Sequence, residues 1–441
     1  MVSPVQVPTL EFASLRTRLA KARAQTDFLF HQVLPSALYD RPIPERHRLI
    51  FYLGHLEAFD WNLMASGANA PSVHPEFNKL FAFGIDPVDS QLPSDQPEDW
   101  PSETQVRSYC TRVRSALDGI LASGSTPANG SPELVDGTLL NVAIEHRLMH
   151  AETLAYLLHQ LSFDKKIEGG EPHEVSAEAP SPRTVTIPMG DATLGMPRGR
   201  SFGWDNEFEE CGVPVPEFRA DAFPVTNAQF LEFLRAGGYN ERSLWSDEDW
   251  KWKTESGTTH PAFWTERSGK WNLRAMFAEI PLPAAWPVYV SHAEASAFAR
   301  WARKRLPTEA QWHRMAYGTS QGTELLYPWG GEPPSSRFGN FDFRRWDPSP
   351  VQAHPDGRSE FGVADLAGNG WEWTSTPFAP FPGFEPFSFY PGYSANFFDG
   401  QHYVMKGGSP RTAACMLRRT FRNWFQPHYP YIYAKFRCVE G

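Results

Sequence analysis

Apolar residues recur every three to four positions in four early runs, 12–34, 47–64, 103–121 and 139–161. That spacing belongs to one face of a helix, so each run predicts a helix. Segments rich in Pro and Asp, such as DPVDSQLPSDQPEDWPSET, separate the runs and end each helix before the next. Four such helices predict a bundle over 1–165, an architecture that builds metal sites from inward side chains of facing helices. Residues 166–183 are polar and rich in Glu, Pro and Ser, which predicts a linker. From 184 to 441 the texture changes: Gly, Pro, Trp and Phe become dense and the apolar runs shorten. Helices are expected there only at 227–236 and 291–305, capped by Thr226 and Ser291. The remainder reads as short strands and long ordered loops, so the fold class is two-domain α+β.

Length and charge narrow the picture. A chain of 441 residues, 41% of them hydrophobic, can bury two substantial cores. A net charge of −10 with no basic block excludes a nucleic-acid surface. Four scattered cysteines, Cys110, Cys211, Cys415 and Cys438, make neither a zinc ribbon nor a dense disulfide framework. The N-terminal segment lacks a signal-type apolar core, and no run approaches the ~18 apolar residues of a membrane span. A reducing cytoplasm and no membrane partner are the expectation.

The chemistry concentrates in EHRLMHAE at 145–152. His146 and His150, four apart on a helix, project from one face and can reach one divalent ion. Such a pair is commonly just packed, so the metal reading needs a third ligand. His55 supplies a candidate: it sits mid-run in 47–64 beside Gly54, and a glycine inside a helix marks the close approach of a neighbour. Three imidazoles with open positions suit a catalytic first-row metal better than a closed structural site. Arg147 stands where a metalloprotease would carry its general-base Glu, which removes that reading. Glu152 lies about 200° round the helix from His150, either as an outer partner of the site or as a surface carboxylate.

The second half resembles the formylglycine-generating (sulfatase-modifying-factor) fold, a C-type-lectin-like module. The motifs are FPVTN at 223–227, RLPTEAQW at 305–312, YPWG at 327–330, GNGWEW at 368–373 and GGS at 407–409. Formylglycine chemistry itself is not expected. It needs two cysteines after the GGS motif, where this chain has Thr412 and Leu417, with Cys415 alone. Taken with LGH at 53–55 and HRLMHAE at 146–152 on a DinB-like bundle, the whole chain resembles the ergothioneine and ovothiol sulfoxide synthases. FGWDNE at 202–207, PGF at 382–384, YSANFFD at 393–399 and FRNW at 421–424 strengthen the likeness. The resemblance implies a non-haem Fe(II) held by His55, His146 and His150, with O2 as co-substrate. It also implies C–S bond formation between a thiol and the imidazole of hercynine (N-trimethylhistidine), with oxidation of the sulfur to the sulfoxide.

Several positions depart from that family. Met149 replaces a Gln that binds the substrate imidazole. Phe81, in FNKLF at 77–81, falls where a subgroup carries a Tyr pair, and the loop 89–101 contains no Arg for a glutamyl-cysteine carboxylate. Phe425 and Tyr429 replace an Asp and an Arg that hold the peptide thiol. Asn423 and Trp424 match positions lining the trimethylammonium site, where an indole face offers a cation–π contact. Tyr393 or Tyr429 is expected as the proton donor, although Tyr429, Tyr431 and Tyr433 also alternate like a strand face. Among Arg411, Arg418, Arg419 and Arg422, one or two are candidates for a substrate carboxylate. The acidic cluster Asp205, Asn206 and Glu207 is a candidate for a structural Ca2+. These departures keep three alternatives open: a selenium donor, thiol dioxygenation, or a non-catalytic ligand-binding homologue. Because a ligating imidazole must be neutral, metal loss is expected below about pH 6.

Overall fold

The structure, a computed structural model, describes residues 9–68, 70–82, 92–122, 131–167, 169, 175 and 177–440. Contacts divide the chain into two compact units, Met1–Gly169 and Gly170–Gly441. The division falls inside the expected linker, of which 168, 170–174 and 176 lie outside the described residues, as do 89–91 of the Arg-free loop.

In the first unit the helices are α1 (Thr9–His31), α2 (Leu49–Gly67), α3 (Pro75–Leu80), α4 (Glu103–Ala122), α5 (Pro132–Val135) and α6 (Thr138–Gln160). α1 ends before the apolar run does because Pro35 bars Leu34 from the helical conformation. α4 is amphipathic, burying Val106, Tyr109, Val113, Leu117 and Leu121 along one stripe. α2 and α6 are buried on nearly every side, and they are the helices that carry the histidines. α1 packs along α6, and α2 lies against both α4 and α6. The sequence did not predict α3, a single stretch that Pro75 opens and His74 caps by accepting the Phe77 N–H.

In the second unit, β1 (Thr184–Ile187) pairs antiparallel with β4 (Phe218–Asp221), and β12 (Val439–Glu440) joins the other edge of β4. β2 (Gly190–Leu194) and β3 (Cys211–Val215) form a ribbon, and β5 (Trp264–Arg267), β6 (Lys270–Arg274) and β7 (Glu279–Pro281) a small sheet. The remaining sheet has the order β10 (Asn423–Phe425), β9 (Tyr403–Lys406), β8 (Trp371–Pro377), β11 (Ala434–Lys435). Helices α7 (Asn227–Arg235) and α9 (His292–Trp301) start at capping boxes on Thr226 and Ser291. Three helices among the described residues of this unit were missed: α8 (Asp247–Ser256), capped by Ser246, α10 (Glu309–Tyr317), with a third capping box on Thr308 and Gln311, and the single turn α11 (Gly392–Ala395). The signature Thr-x-x-Gln of α10 was legible.

The RLPTEAQW and GNGWEW motifs meet in the interior of this unit. Trp312 donates to Glu372 (2.9 Å), whose carboxylate also takes two hydrogen bonds from the Arg437 guanidinium. The Lys435 ammonium, fully buried, donates to the carbonyls of Asp365, Gly368 and Gly370 at 2.6–2.8 Å. Buried charges of this kind are tolerated only when paired and hydrogen-bonded. Among the described residues no helix is long and apolar enough to cross a membrane.

Candidate metal centre

α2 presents His55 and α6 presents His146 and His150, so the three rings meet between two buried helices. The Nε2 atoms of His55 and His150 are 3.3 Å apart, and those of His150 and His146 are 3.1 Å apart. One ligand atom from each lies within 4.8 Å of the others, and among the described residues the group contains no carboxylate. Separations near 3 Å suit nitrogens that each stand about 2.0–2.1 Å from one ion. The Nδ1 atoms of His146 and His150 are buried without a hydrogen-bond partner, so these rings spend their polar capacity on the shared centre. Phe51 stacks on the His55 ring (4.9 Å) and Phe59 on the His146 ring (3.4 Å), fixing both planes.

Burial sets the protonation state. It lowers His55 from an ordinary 6.5 to about 4, with nearby His47 and Arg147 adding to the effect and the Phe81 carbonyl opposing it. His146 and His150 are driven well below their ordinary value, first by burial and then by neighbouring histidines and Arg147. The rings are therefore neutral and their lone pairs available well below pH 6. The expectation that acid empties the site near pH 6 moves downward accordingly, because it took the solvated histidine value as its reference.

Behind the triad lies an ion-pair network that sequence reasoning missed. The Arg147 guanidinium, fully buried, donates to Glu57 (2.9 Å), Asp60 (2.6 Å) and the Leu56 carbonyl (3.0 Å). Arg114 of α4 reaches the same Glu57 and, with two bonds at 2.7 Å, Asp27 of α1. Burial alone would raise Glu57, but Arg147 and Arg114 more than offset it and hold it low; at Asp60 burial prevails. The signal was legible: charged residues inside otherwise apolar helical runs must find partners of opposite sign.

The other expected site residues fall as follows. Met149 is half-buried on α6 and its carbonyl accepts from Thr153. Glu152 is buried, which removes the surface reading. Phe81 is fully buried among Phe77, Trp100 and Tyr109. Its carbonyl accepts from His55 Nδ1 at 2.7 Å.

In the second unit Trp424 stacks on Phe378 (4.1 Å, 7°) and meets Tyr393 and Phe397 at 5.5 Å. Asn423 turns its side-chain oxygen back to the Trp424 N–H. Tyr393 lies against Trp204 (3.9 Å), whereas Tyr429 is buried against Phe425 (5.4 Å) in a turn rather than a strand face. The candidate carboxylate-binding arginines are engaged internally: Arg418 with Glu207, Arg419 with Glu324, Arg422 with Glu309, and Arg411 over Trp346. The acidic cluster proposed for calcium is partly engaged by the same contacts. Glu207 accepts from Arg418, Thr420 and the Trp204 N–H, and Asp205 accepts from Ser394. The cation beside this cluster is a guanidinium.

Comparison with known proteins matches residues 170–441 to the sulfatase-modifying factor enzyme 1-like domain. A hercynine oxygenase of Mycobacterium tuberculosis is 34% identical over 343 residues, 77% of this chain and 78% of that protein. Another, of Mycolicibacterium smegmatis, is 32% identical over 442 residues, 97% of this chain and 98% of its own. Ergothioneine biosynthesis protein 1 of Neurospora crassa is 31% identical over 511 residues, 95% of this chain and 56% of that longer protein. With identities above 30% sustained over most of both chains, this protein belongs to the hercynine oxygenase family, a helical unit joined to a sulfatase-modifying-factor domain.

Proposed function

We propose that this chain is an Fe(II)- and O2-dependent enzyme of ergothioneine-type biosynthesis that joins the hercynine imidazole to a thiol and delivers a sulfoxide. The observation that carries the reading is the convergence of three buried imidazole Nε2 atoms in a chain of this family. His55, His146 and His150 would hold the ion. Bound there, Fe(II) keeps its full double charge because all three ligands are neutral, which favours an anionic thiolate beside it and supplies redox chemistry for O2. The net reaction balances: the imidazole C–H, the thiol S–H and O2 give one C–S bond, one S=O bond and one water.

The chain's own residues bind and move protons. Trp424 offers an indole face to the trimethylammonium group. Tyr393, in edge contact with that indole, is favoured over the buried Tyr429 as proton donor. The departures at Phe425 and Tyr429 bear on the sulfur donor, since aromatic groups cannot give a carboxylate the bidentate pairing of Arg.

The test is anaerobic purification, iron stoichiometry, and mass spectrometry of products from hercynine with cysteine, glutamyl-cysteine or a selenium donor. One iron per chain, a sulfoxide with one donor, and loss of both in His146→Ala are expected. A product containing selenium would replace the thiol reading. No turnover of hercynine with any donor, or unchanged iron in His146→Ala, would overturn the function.

A further inference from the structure

α2 carries a glycine where a helix interior prefers almost anything else; the cost is roughly 0.5–1 kcal/mol relative to alanine. The reason lies one residue before His55. A Cβ on Gly54 would stand 2.6 Å from three atoms of the Phe81 ring. The ring thus occupies the place of the missing side chain and lies directly against the α2 backbone.

Phe81 is the residue that ends α3, and α3 is tied down on several sides. Its Asn78 is hydrogen-bonded to the Tyr109 hydroxyl (2.8 Å) and the Ser72 hydroxyl (2.8 Å), while Asn62 of α2 donates to the Asn78 carbonyl (3.1 Å). The ring is held between Tyr109 and Trp100, at 6.0 and 6.1 Å, and Phe77 meets it edge-on at 5.6 Å. A ring seated this way fixes where its own carbonyl points. That carbonyl is the partner of His55 Nδ1.

A carbonyl only accepts, so Nδ1 must carry the proton. In the neutral ring, Nε2 is then the bare nitrogen, and Nε2 is the atom that faces His150. We propose that Phe81 is a positioning residue for the metal centre: its ring, admitted by Gly54, places the carbonyl that selects the coordinating tautomer of His55. The proposal rests on reading the triad as a metal site. It gives FNKLF at 77–81 a task that needs no tyrosine and no contact with substrate. His146 and His150, whose Nδ1 atoms have no such partner, depend on packing for their orientation.

The experiment compares the full chain with Gly54→Ala, Phe81→Leu and the double variant. Metal-free protein labelled with 15N in histidine reports the tautomer of each ring, with His55→Asn assigning the signal. Titration with Co(II) reports affinity, and circular dichroism checks the fold. Wild type is expected to show His55 protonated at Nδ1. Gly54→Ala should lose that signature and bind Co(II) about 10–100-fold more weakly, the range known for partners of metal-bound histidines. Adding Phe81→Leu, a smaller and more pliable side chain, should restore most of the affinity.

A wild-type His55 protonated at Nε2 overturns the proposal whatever the variants do. So does a folded Gly54→Ala with unchanged tautomer and affinity, or a double variant as weak as Gly54→Ala. A wild type that shows the expected tautomer and binds no metal would instead sink the metal reading of the triad, leaving the Phe81 carbonyl in its role towards His55.

Discussion

At the residue scale, Trp424 shows how contacts sharpen an expectation. One indole face is covered by Phe378 at 4.1 Å, and Tyr393 and Phe397 stand at 5.5 Å. A quaternary ammonium is therefore expected on the face away from Phe378, where a desolvated cation–π contact is worth about 1–2 kcal/mol. Trp424→Ala should raise KM for hercynine by roughly 5–30-fold with kcat little changed. Tyr393→Phe should do the reverse, lowering kcat, because it removes a proton and hardly any surface. Steady-state kinetics with saturating thiol decide; a kcat effect from Trp424→Ala and none from Tyr393→Phe would reverse both assignments. The candidate residues themselves were legible because histidine spacing and motif order are written in one dimension. The hydrogen bond from His55 to the Phe81 carbonyl was not legible, because a backbone acceptor leaves no mark in the sequence.

At the scale of elements, α2 and α6 must keep one register for rings from both to meet. Arg147 bridges from α6 to Glu57 and Asp60 of α2, two and five residues beyond His55. Removing one partner of a buried pair costs about 3–5 kcal/mol, because the charges left behind have no water to turn to. Arg147→Met should destabilise the protein by about that amount and weaken metal binding even where the chain stays folded. Arg147→Met combined with Glu57→Gln and Asp60→Asn should recover part of the stability. Denaturant unfolding and a metal titration check both; a single variant as stable as wild type would mean the network does not hold the register. The four long helices were readable from periodicity to within three residues at each end. α3, α5, α8, α10 and α11 were not foreseen: α3, α5 and α11 are shorter than any periodic signal, and α8 and α10 carry caps that outweigh weak patterns.

At the scale of the whole molecule, the triad links folding to pH. Well above pH 6.5 His55 is neutral in both folded and unfolded chains and contributes nothing to the difference. As pH falls from 6.5 towards about 4, the unfolded chain takes up a proton that the folded site refuses, so stability is lost across that window. For His55 alone the loss approaches roughly 3 kcal/mol at the acid end, and His146 and His150 shift in the same direction. Metal-free protein should therefore melt at steadily lower temperature between pH 7 and pH 5. His55→Asn should flatten that slope without abolishing it, since buried His292 of the second unit is also lowered to about 4. Calorimetry across this range is the measurement, and parallel slopes for the two proteins would remove His55 from the account.

The sequence by itself determined the helical first unit, the loop-rich second unit, and the three histidines. Each follows from local spacing or composition, which tertiary contacts do not alter. Only the tertiary structure decided that Gly54 exists to admit a ring, that Arg147 is the counter-ion of α2, and that Arg418 stands beside the acidic cluster where calcium was expected. Those pairings join residues from 27 to 211 positions apart. Burial, which sets both the protonation of the triad and the need for its partners, arises only when separate helices close around it.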